Sequence, residues 1–412
     1  MTKFFDKFSH IKQIRSNFLE QSECNPLGMK IEEIYSPTQA RILGKDCIMV
    51  GTNNYLGLTM NEDAINASCA ATQNAGTGTT GSRVANGSYK GHQALEKQIA
   101  DYYEKDHCIL FTTGYQANVG FISAIAGRDD YILIDADSHA SIYDGCKLGD
   151  ATIIRFKHND PENLDKKLAR LPADANRLVI VEGVYSMLGD LAPIKEFVAV
   201  TKKHGAAIMV DEAHSMGIFG ENGRGVCEQE GVEDDVDFII GTFSKSVGTI
   251  GGYCVSNHAG LQDLRYAARA YVFTASLPPA IVAAASENLS TIQNTPSLRK
   301  ALWHNTDRIY YGLQDMGFEI GPDKTPVIGV KMPDIEGGVR AWQILFEQGI
   351  YVNMALPPAT PAGVCLLRCS ICAAHTDAQI DCILVAFQTV YDALYGAQEE
   401  EEEASVKKAA SA

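Results

Sequence analysis

The feature that most constrains this 412-residue chain is an alternation of short apolar runs with amphipathic helical stretches, from about residue 90 to about residue 260. The runs are 108–112 (CILFT), 131–134 (YILI), 153–156 (IIRF), 178–182 (LVIVE), 207–211 (AIMVD) and 238–241 (FIIG). Each is too short for a helix and several are rich in β-branched residues, so they read as buried strands. Between two of them Ile194, Phe197 and Val198 share one helical face, with Gly205 placed to cap the helix. Strands alternating with helices predict an α/β fold, a mostly parallel sheet covered by helices on both faces. Ligands in such folds lie at the carboxyl ends of the strands. The residues that close each run are therefore the first candidates for function.

After about residue 290 the pattern changes to a smaller α+β domain, with strands at 326–332 and 366–371 and a helix near 339–348. A last helix carries Ile380, Ile383, Leu384 and Phe387 on one face. The expected division is an N-terminal helix and arm (1–55), a large domain (56–290), a small domain (291–396) and a disordered acidic tail (397–412). The tail opens on the run Glu399 to Glu403 and has almost no large apolar residues. At the other end Phe4, Phe8, Ile11 and Phe18 fall on one helical face among Lys3, Lys7, Lys12 and Arg15. Such a face more often packs on protein than on a membrane surface, which leaves peripheral membrane contact as the secondary reading.

A formal net charge of −16 with no basic stripe excludes nucleic acid as a partner class. No run reaches the roughly 18 apolar residues of a membrane span, and no secretory leader is visible. Eleven cysteines without framework spacing read as reduced thiols of a cytoplasmic protein. Cys369 and Cys372 form C-x-x-C inside a strand-like stretch with no second pair, so they read as packing residues and no metal is expected.

Gly76, Gly78 and Gly81 spell G-x-G-x-x-G, but a dinucleotide fingerprint must follow a strand and open a helix. Here an Ala-rich, helix-like stretch precedes and more loop follows, which favours a loop approached by a ligand or a second subunit. A stronger signal is GTFSKSVGTIGGY (241–253), which places Thr242, Ser244 and Lys245 in a Gly-rich turn where a buried strand ends. Burial disfavours an ammonium, and one chemical reason to hold a lysine there is an amine that attacks a carbonyl. A lysine snorkelling from an ordinary loop is the duller reading.

Asp211 closes the run AIMVD, a costly place for an unpaired carboxylate, and lies about one strand–helix–strand unit before Lys245. Such a pair suits pyridoxal 5′-phosphate (PLP). The carboxylate keeps the pyridine nitrogen protonated, and the lysine carries the aldehyde. The two residues alone fit a structural ion pair equally well. Other strand ends break the tie. Gly114 and Tyr115 open a probable helix suited to a phosphate, His139 puts a flat imidazole at another end, and Ser186 adds a hydroxyl at a further one.

The run DADSHAS…EGVYSMLGD…VDEAHSMG…GTFSKSVGTIGG resembles the α-oxoamine synthases, which are fold-type I PLP-dependent transferases. The resemblance spans nearly the whole chain, from GTNNYLGL (51–58) to LLRCSICAAHT (366–376). It implies a large domain with a mostly parallel seven-stranded sheet, a smaller α+β C-terminal domain, and a homodimer with active sites at the interface. It also implies condensation of an amino acid with an acyl thioester, releasing CO₂ and CoA. Within the family, GTFSKSVGTIGGYCVSN, YVFTASLPP and PPATPAG look most like members that join L-serine to a long-chain acyl-CoA, palmitoyl-CoA, to give 3-ketodihydrosphingosine.

Carried over position by position, Lys245 would hold the cofactor aldehyde and move protons at Cα. Asp211 would pair with the pyridine nitrogen, His214 with the phenolic oxygen, and His139 would stack on the ring. Gly114, Tyr115 and Thr242 would bind the phosphate, Ser186 would line the cofactor, and Thr274 and Ser276 would reach in from the other subunit. Arg368 matches the family's carboxylate-binding arginine, with Asn54 and Tyr55 bordering the substrate. One position departs from the pattern: where some of the serine-using members carry an arginine before PPATPAG, this chain has Leu356. Carboxylate binding then falls to Arg368.

Overall fold

The computed structural model describes residues 3–9, 12, 16, 26, 28–357, 360 and 363–410, and the chain divides into two compact units. The larger comprises Asn53–Ser186 and Asp190–Leu302. The other takes the residues before Asn53, Met187–Gly189 and those from Trp303 on.

The larger unit is built on a sheet of β1 (His107–Phe111), β2 (Tyr131–Asp135), β3 (Thr152–Phe156), β4 (Arg177–Glu182), β5 (Ala207–Asp211), β6 (Phe238–Thr242) and β7 (Gly252–Ser256). Their spatial order is β1-β7-β6-β5-β4-β2-β3. The strands from β2 to β6 pair in parallel, and β7 runs antiparallel to both β1 and β6. All six apolar runs read from the sequence are strands, within a residue of the expected limits. In β4, β5 and β6 every residue after the first is buried, as expected of strands covered on both faces. The seventh strand opens on Gly252 and reads in sequence as part of the glycine-rich turn. Only the short stretch 243–251 joins it to β6, which permits an antiparallel pairing and not a crossover.

After β1 comes helix α1 (Gly114–Ile125), and after β2 comes α2 (Ala140–Leu148). Thr113 caps α1 by accepting a hydrogen bond from the Gln116 N–H, and His139 caps α2 by accepting one from Ser141. The α1 face of Ala117, Phe121 and Ile122 is fully buried, with the Phe121 ring 4.7 Å from that of Phe238. A cavity at Phe121 would cost about 3–5 kcal/mol, so the helix start is anchored by its own core face.

In the other unit, Val327–Met332, Cys365–Ser370 and Asn353–Ala355 form a three-stranded antiparallel sheet with Cys365–Ser370 in the middle. Helix Ile335–Glu347 buries Trp342 and Phe346, stacked at 5.1 Å. A further sheet joins Ile31–Ser36, Gln39–Ile42, Lys45–Met49 and Ile350–Tyr351. Its first three strands went unread in sequence because Ile31–Ser36 has no buried residue and so no apolar face to reveal its period.

The last helix, Asp377–Ala410, buries Ile380, Ile383 and Phe387 as the periodicity predicts. Its backbone stays helical through the acidic run, where the sequence reads a disordered end. Glu, Ala and Lys are all good helix formers, and they extend a helix already nucleated by its packed half. At the amino end Lys3–Asp6 forms a short helix, with Phe4 and Phe8 exposed. Ile11, Arg15 and Phe18, the rest of the expected apolar face and its basic flank, lie outside the described residues. The cysteines among the described residues are free thiols, and no described helix is long and apolar enough to cross a membrane.

Candidate active site

The carboxyl ends of β4, β5 and β6, with the starts of α1 and α2, enclose a cavity of about 300 Å³. Its wall includes Gly114, Tyr115, His139, Asp211, His214, Thr242 and Lys245, all expected from sequence, and also Asn118, Ser141, Glu182 and Ser244. Ser186 is half-buried and is not among these lining residues.

Asp211 ends β5 directly beside Glu182, its register partner on β4. Its two oxygens are served separately: Asn118 Nδ2 donates to Oδ2 at 2.7 Å and the Ala213 N–H to Oδ1 at 2.9 Å. Glu182 is fully buried and accepts the backbone N–H of His139. Burial, with Asp211 alongside, pushes its carboxyl well above the ordinary range.

The same Asn118 amide donates to Ser141 Oγ at 3.0 Å, and Ser141 Oγ lies 2.7 Å from His139 Nδ1. Nδ1 also accepts the Ser141 N–H at 3.2 Å. Nδ1 is therefore an acceptor and the ring proton sits on Nε2. Burial holds the imidazole below its usual pKa, against the pull of Asp211. The result is a neutral, flat ring of fixed tautomer beside a carboxylate.

Opposite this wall, α1 points its N-terminus at the end of β6. A Cβ on Gly114 would come within 2.7 Å of the Thr242 side chain, and one on Gly252 within 2.5 Å of Thr113 O. Only glycines let these two backbones approach so closely. Thr242 Oγ1 lies 3.0 Å from Gly251 O and 2.8 Å from Ser244 Oγ. Helix N–H groups and two hydroxyls thus converge on a cradle suited to a phosphate. Tyr115 lines the cavity while its hydroxyl donates to Asp144 at 2.6 Å, which leaves its backbone N–H as the group available to an anion.

These residues fit PLP. The cradle would take a phosphate, Asp211 would meet a ring N–H, Lys245 would bring an amine, and the buried Asn118 Oδ1, with no hydrogen-bond partner among the described residues, is an acceptor still open to a donor. His214 takes part through Nδ1, 2.8 Å from the hydroxyl of Tyr55, which is itself fully buried. Asn54 Nδ2 donates to Thr59 at 2.8 Å.

Thr274 and Ser276 do not line the cavity. They border a small hollow with Arg83, His92 and Tyr271, where Ser276 Oγ lies 2.6 Å from Gly87 O. The G-x-G-x-x-G stretch follows helix Glu62–Ala75 and not a strand, so it is no dinucleotide fingerprint. Arg368, in the other unit, sits mid-strand between Gly329 and Asn353, buried, with Nη1 2.9 Å from Ser370 Oγ. Leu356 is buried in the same unit.

Sequence reasoning passed over Asn118, Ser141 and Glu182 as site residues. Asn118 and Ser141 occupy helix positions that show no polar periodicity, while Glu182 was readable as a carboxylate closing a buried strand, the same signal that singled out Asp211.

Comparison with known proteins agrees with this geometry. Residues 45–387 match the family model "Aminotransferase class I and II". The chain is 50% identical to the serine palmitoyltransferase of Sphingomonas paucimobilis over 93% of this chain and 91% of that one. It is 52% identical to the serine palmitoyltransferase of Caulobacter vibrioides, over 90% and 92%. A solved structure of the S. paucimobilis enzyme with a bound PLP–myriocin aldimine superposes with a TM-score of 0.93 at 49% identity, covering 95% of this chain and 98% of that one.

Proposed function

This chain belongs to the α-oxoamine synthases, a family of fold-type I PLP-dependent acyltransferases, and on that premise we propose that it condenses L-serine with palmitoyl-CoA to 3-ketodihydrosphingosine, CO₂ and CoA. The observation that carries the serine assignment is identity of 50% and 52%, over nine-tenths of the chain, with enzymes named for that reaction. Bound PLP supplies the electron sink that takes up charge developing at the amino acid's Cα.

The protein's own groups do the rest. Lys245 would hold the cofactor aldehyde at rest and, once freed by the incoming amine, would take the proton from Cα and later return one there. Asp211, whose oxygens accept from Asn118 and Ala213, would accept the ring N–H. His139 would cover the ring and His214 would meet the phenolic oxygen, its own orientation held by Tyr55. Gly114, Tyr115 and Thr242 would bind the phosphate, with Ser186 nearby. Arg368 orients the serine carboxylate, and Asn54 and Tyr55 border the substrate. A carbon–carbon bond forms between Cα and the thioester carbonyl, the carbon–sulfur bond breaks to release CoA, and the carboxylate leaves as CO₂. By fixing how the serine sits, the carboxylate clamp at Arg368 would govern both rate and fidelity.

We also infer a cytoplasmic homodimer, with Thr274 and Ser276 completing the partner's phosphate site. Their position outside the Lys245 cavity supports this. Exposed Phe4 and Phe8 suit peripheral contact with the membrane that receives the product. CoA release measured over a panel of amino acids and acyl-CoAs of graded length tests the assignment. Serine with palmitoyl-CoA is expected to give the highest kcat/KM. Activity with alanine or glycine and none with serine overturns the serine reading.

A further inference from the structure

Beside the cavity, at the carboxyl ends of β2, β3 and β4, lies a charged cluster that the chemistry above does not use. His158 follows β3. Its Nδ1 is 2.8 Å from Asp135 Oδ1 and its Nε2 is 2.5 Å from Asp190 Oδ2. Asp137 Oδ2 stands 3.9 Å away, and the Tyr185 ring meets the imidazole edge-on at 4.5 Å. Asp135 and Asp190 are both buried. An imidazole with a carboxylate at each nitrogen can donate to both only as the imidazolium. Burial alone would lower the pKa of His158, but the hydrogen bonds and charges of Asp135 and Asp190 carry it up to about 10.

Both aspartates in turn hold backbone, Asp135 through its carboxylate and Asp190 through its main chain. Asp135 Oδ1 accepts the Asp137 N–H and Oδ2 the Asn159 N–H, both at 2.9 Å. The main-chain carbonyl of Asp190 accepts the Tyr185 N–H at 3.0 Å. One cation therefore joins two active-site segments: the turn from Asp135 to His139, and the stretch after Glu182 that carries Tyr185 and Ser186. A buried ionic cluster of this kind is a poor source of stability and a good source of geometry.

We propose that His158 is a positioning residue of the PLP site, bridging Asp135 and Asp190 as an imidazolium so that the His139 turn and the Tyr185–Ser186 stretch keep the spacing the cofactor ring requires. The proposal rests on the PLP reading and is independent of which amino acid the enzyme uses. The groups facing His158 are Asp135, Asp137, Asp190 and Tyr185. Because the folded-state pKa is raised, the clamp is complete below the ordinary histidine value of about 6.5. Its contribution fades as pH rises toward about 10. It is charged across the neutral range.

The test uses the full-length protein, with PLP titrated into the apo form, and His158→Gln and Asp190→Asn as variants. Displacing a ring-facing wall costs on the order of 10- to 100-fold. His158→Gln is therefore expected to weaken PLP binding by about that factor, diminish the cofactor's induced circular dichroism, and lower kcat more than it raises KM for acyl-CoA. Asp190→Asn, which keeps an acceptor, should shift the same readings in the same direction by less, and it carries the test if His158→Gln does not fold. ¹³C-histidine NMR of the wild type should show His158 protonated from pH 6 to 8.5. Wild-type PLP affinity and dichroism in the variants, or a His158 titration near 6.5, overturns the proposal. A wild-type protein that binds no PLP overturns the cofactor reading instead.

Discussion

At the carboxyl edge of the seven-stranded sheet, Glu182 and Asp211 are buried and face a cavity, whereas at the amino edge Asp130 and Asp237 are half-buried and close turns. Asp237 accepts the Ile208 N–H at 2.8 Å and sits 3.0 Å from His258. Asp130 accepts the Gly127 N–H at 2.7 Å and Asn176 Nδ2 at 2.8 Å. Cavity size does not separate the two edges. The amino edge has a cleft of about 490 Å³, larger than the site, but lined mainly by apolar residues such as Ile125, Leu178 and Phe238. What separates them is burial and company. At both edges the carboxylates accept backbone N–H groups, but at the carboxyl edge they are buried and share their cavity with Lys245, His139 and Thr242, while at the amino edge they are half-buried beside mainly apolar groups. Substitutions should therefore cost activity at one edge and stability at the other.

The largest effect belongs to Lys245→Ala, which should lower turnover by roughly 1,000-fold or more and abolish the visible cofactor absorbance, with the thermal midpoint little changed. Comparable turnover in that variant would break the contrast outright. Asp211→Asn should reduce kcat by about 100-fold while leaving unfolding free energy within about 1 kcal/mol of wild type, since a buried charge facing a cavity contributes little to stability. Ser141→Ala frees His139 Nδ1 from its hydroxyl donor; steady-state kinetics should show about a 10-fold fall in kcat. At the other edge, Asp237→Ala is expected to cost about 1–2 kcal/mol in denaturant unfolding, with kcat/KM unchanged.

The smallest effect sharpens the comparison. When folded, Glu182 is held well above the ordinary carboxyl value of about 4.5, near which the unfolded chain ionises. The wild type therefore loses stability as pH rises above that value. Glu182→Gln, a mimic of the protonated acid, should lack this slope and show less than about a 3-fold change in kcat, the scale of a single neutral hydrogen bond. A large loss would mean that the carboxyl works as an anion.

The same division governs what could be read from the sequence. Strands buried on both faces declare themselves as unbroken apolar runs, so β1, β2, β4, β5 and β6 were legible, while the edge strand β3, with only Phe156 buried, showed through its β-branched residues; legible too were the polar residues that follow or close the runs: His139 just after β2, Asp211 at the end of β5, Lys245 just after β6. Gly252–Ser256 was not, because its glycine start has the signature of a turn. Asn118 and Ser141 were hidden for a different reason. Their importance comes from the meeting of α1 with α2 and β5, a tertiary fact with no local periodicity. The role of His158 is likewise invisible one-dimensionally, since one partner, Asp135, ends β2 and the other, Asp190, lies in the loop after β4.

The cradle at Gly114 has a consequence for how the chain is made. β1 has a single neighbour in its sheet, β7, and Gly252 of β7 lies between Phe111 and Thr242. The two halves of the cradle are thus far apart in the chain, and the sheet joins their strands only through β7, the last of its strands to be synthesised. At about 5–20 residues per second, β1 and α1 leave the ribosome many seconds before β7. In that interval β1 is an apolar edge without a partner, and the Gly114 N–H groups have no Thr242 opposite them. Cofactor capture is therefore a late event of biogenesis. A nascent chain that stalls before Ser256 exposes an aggregation-prone strand and cannot be rescued by added PLP.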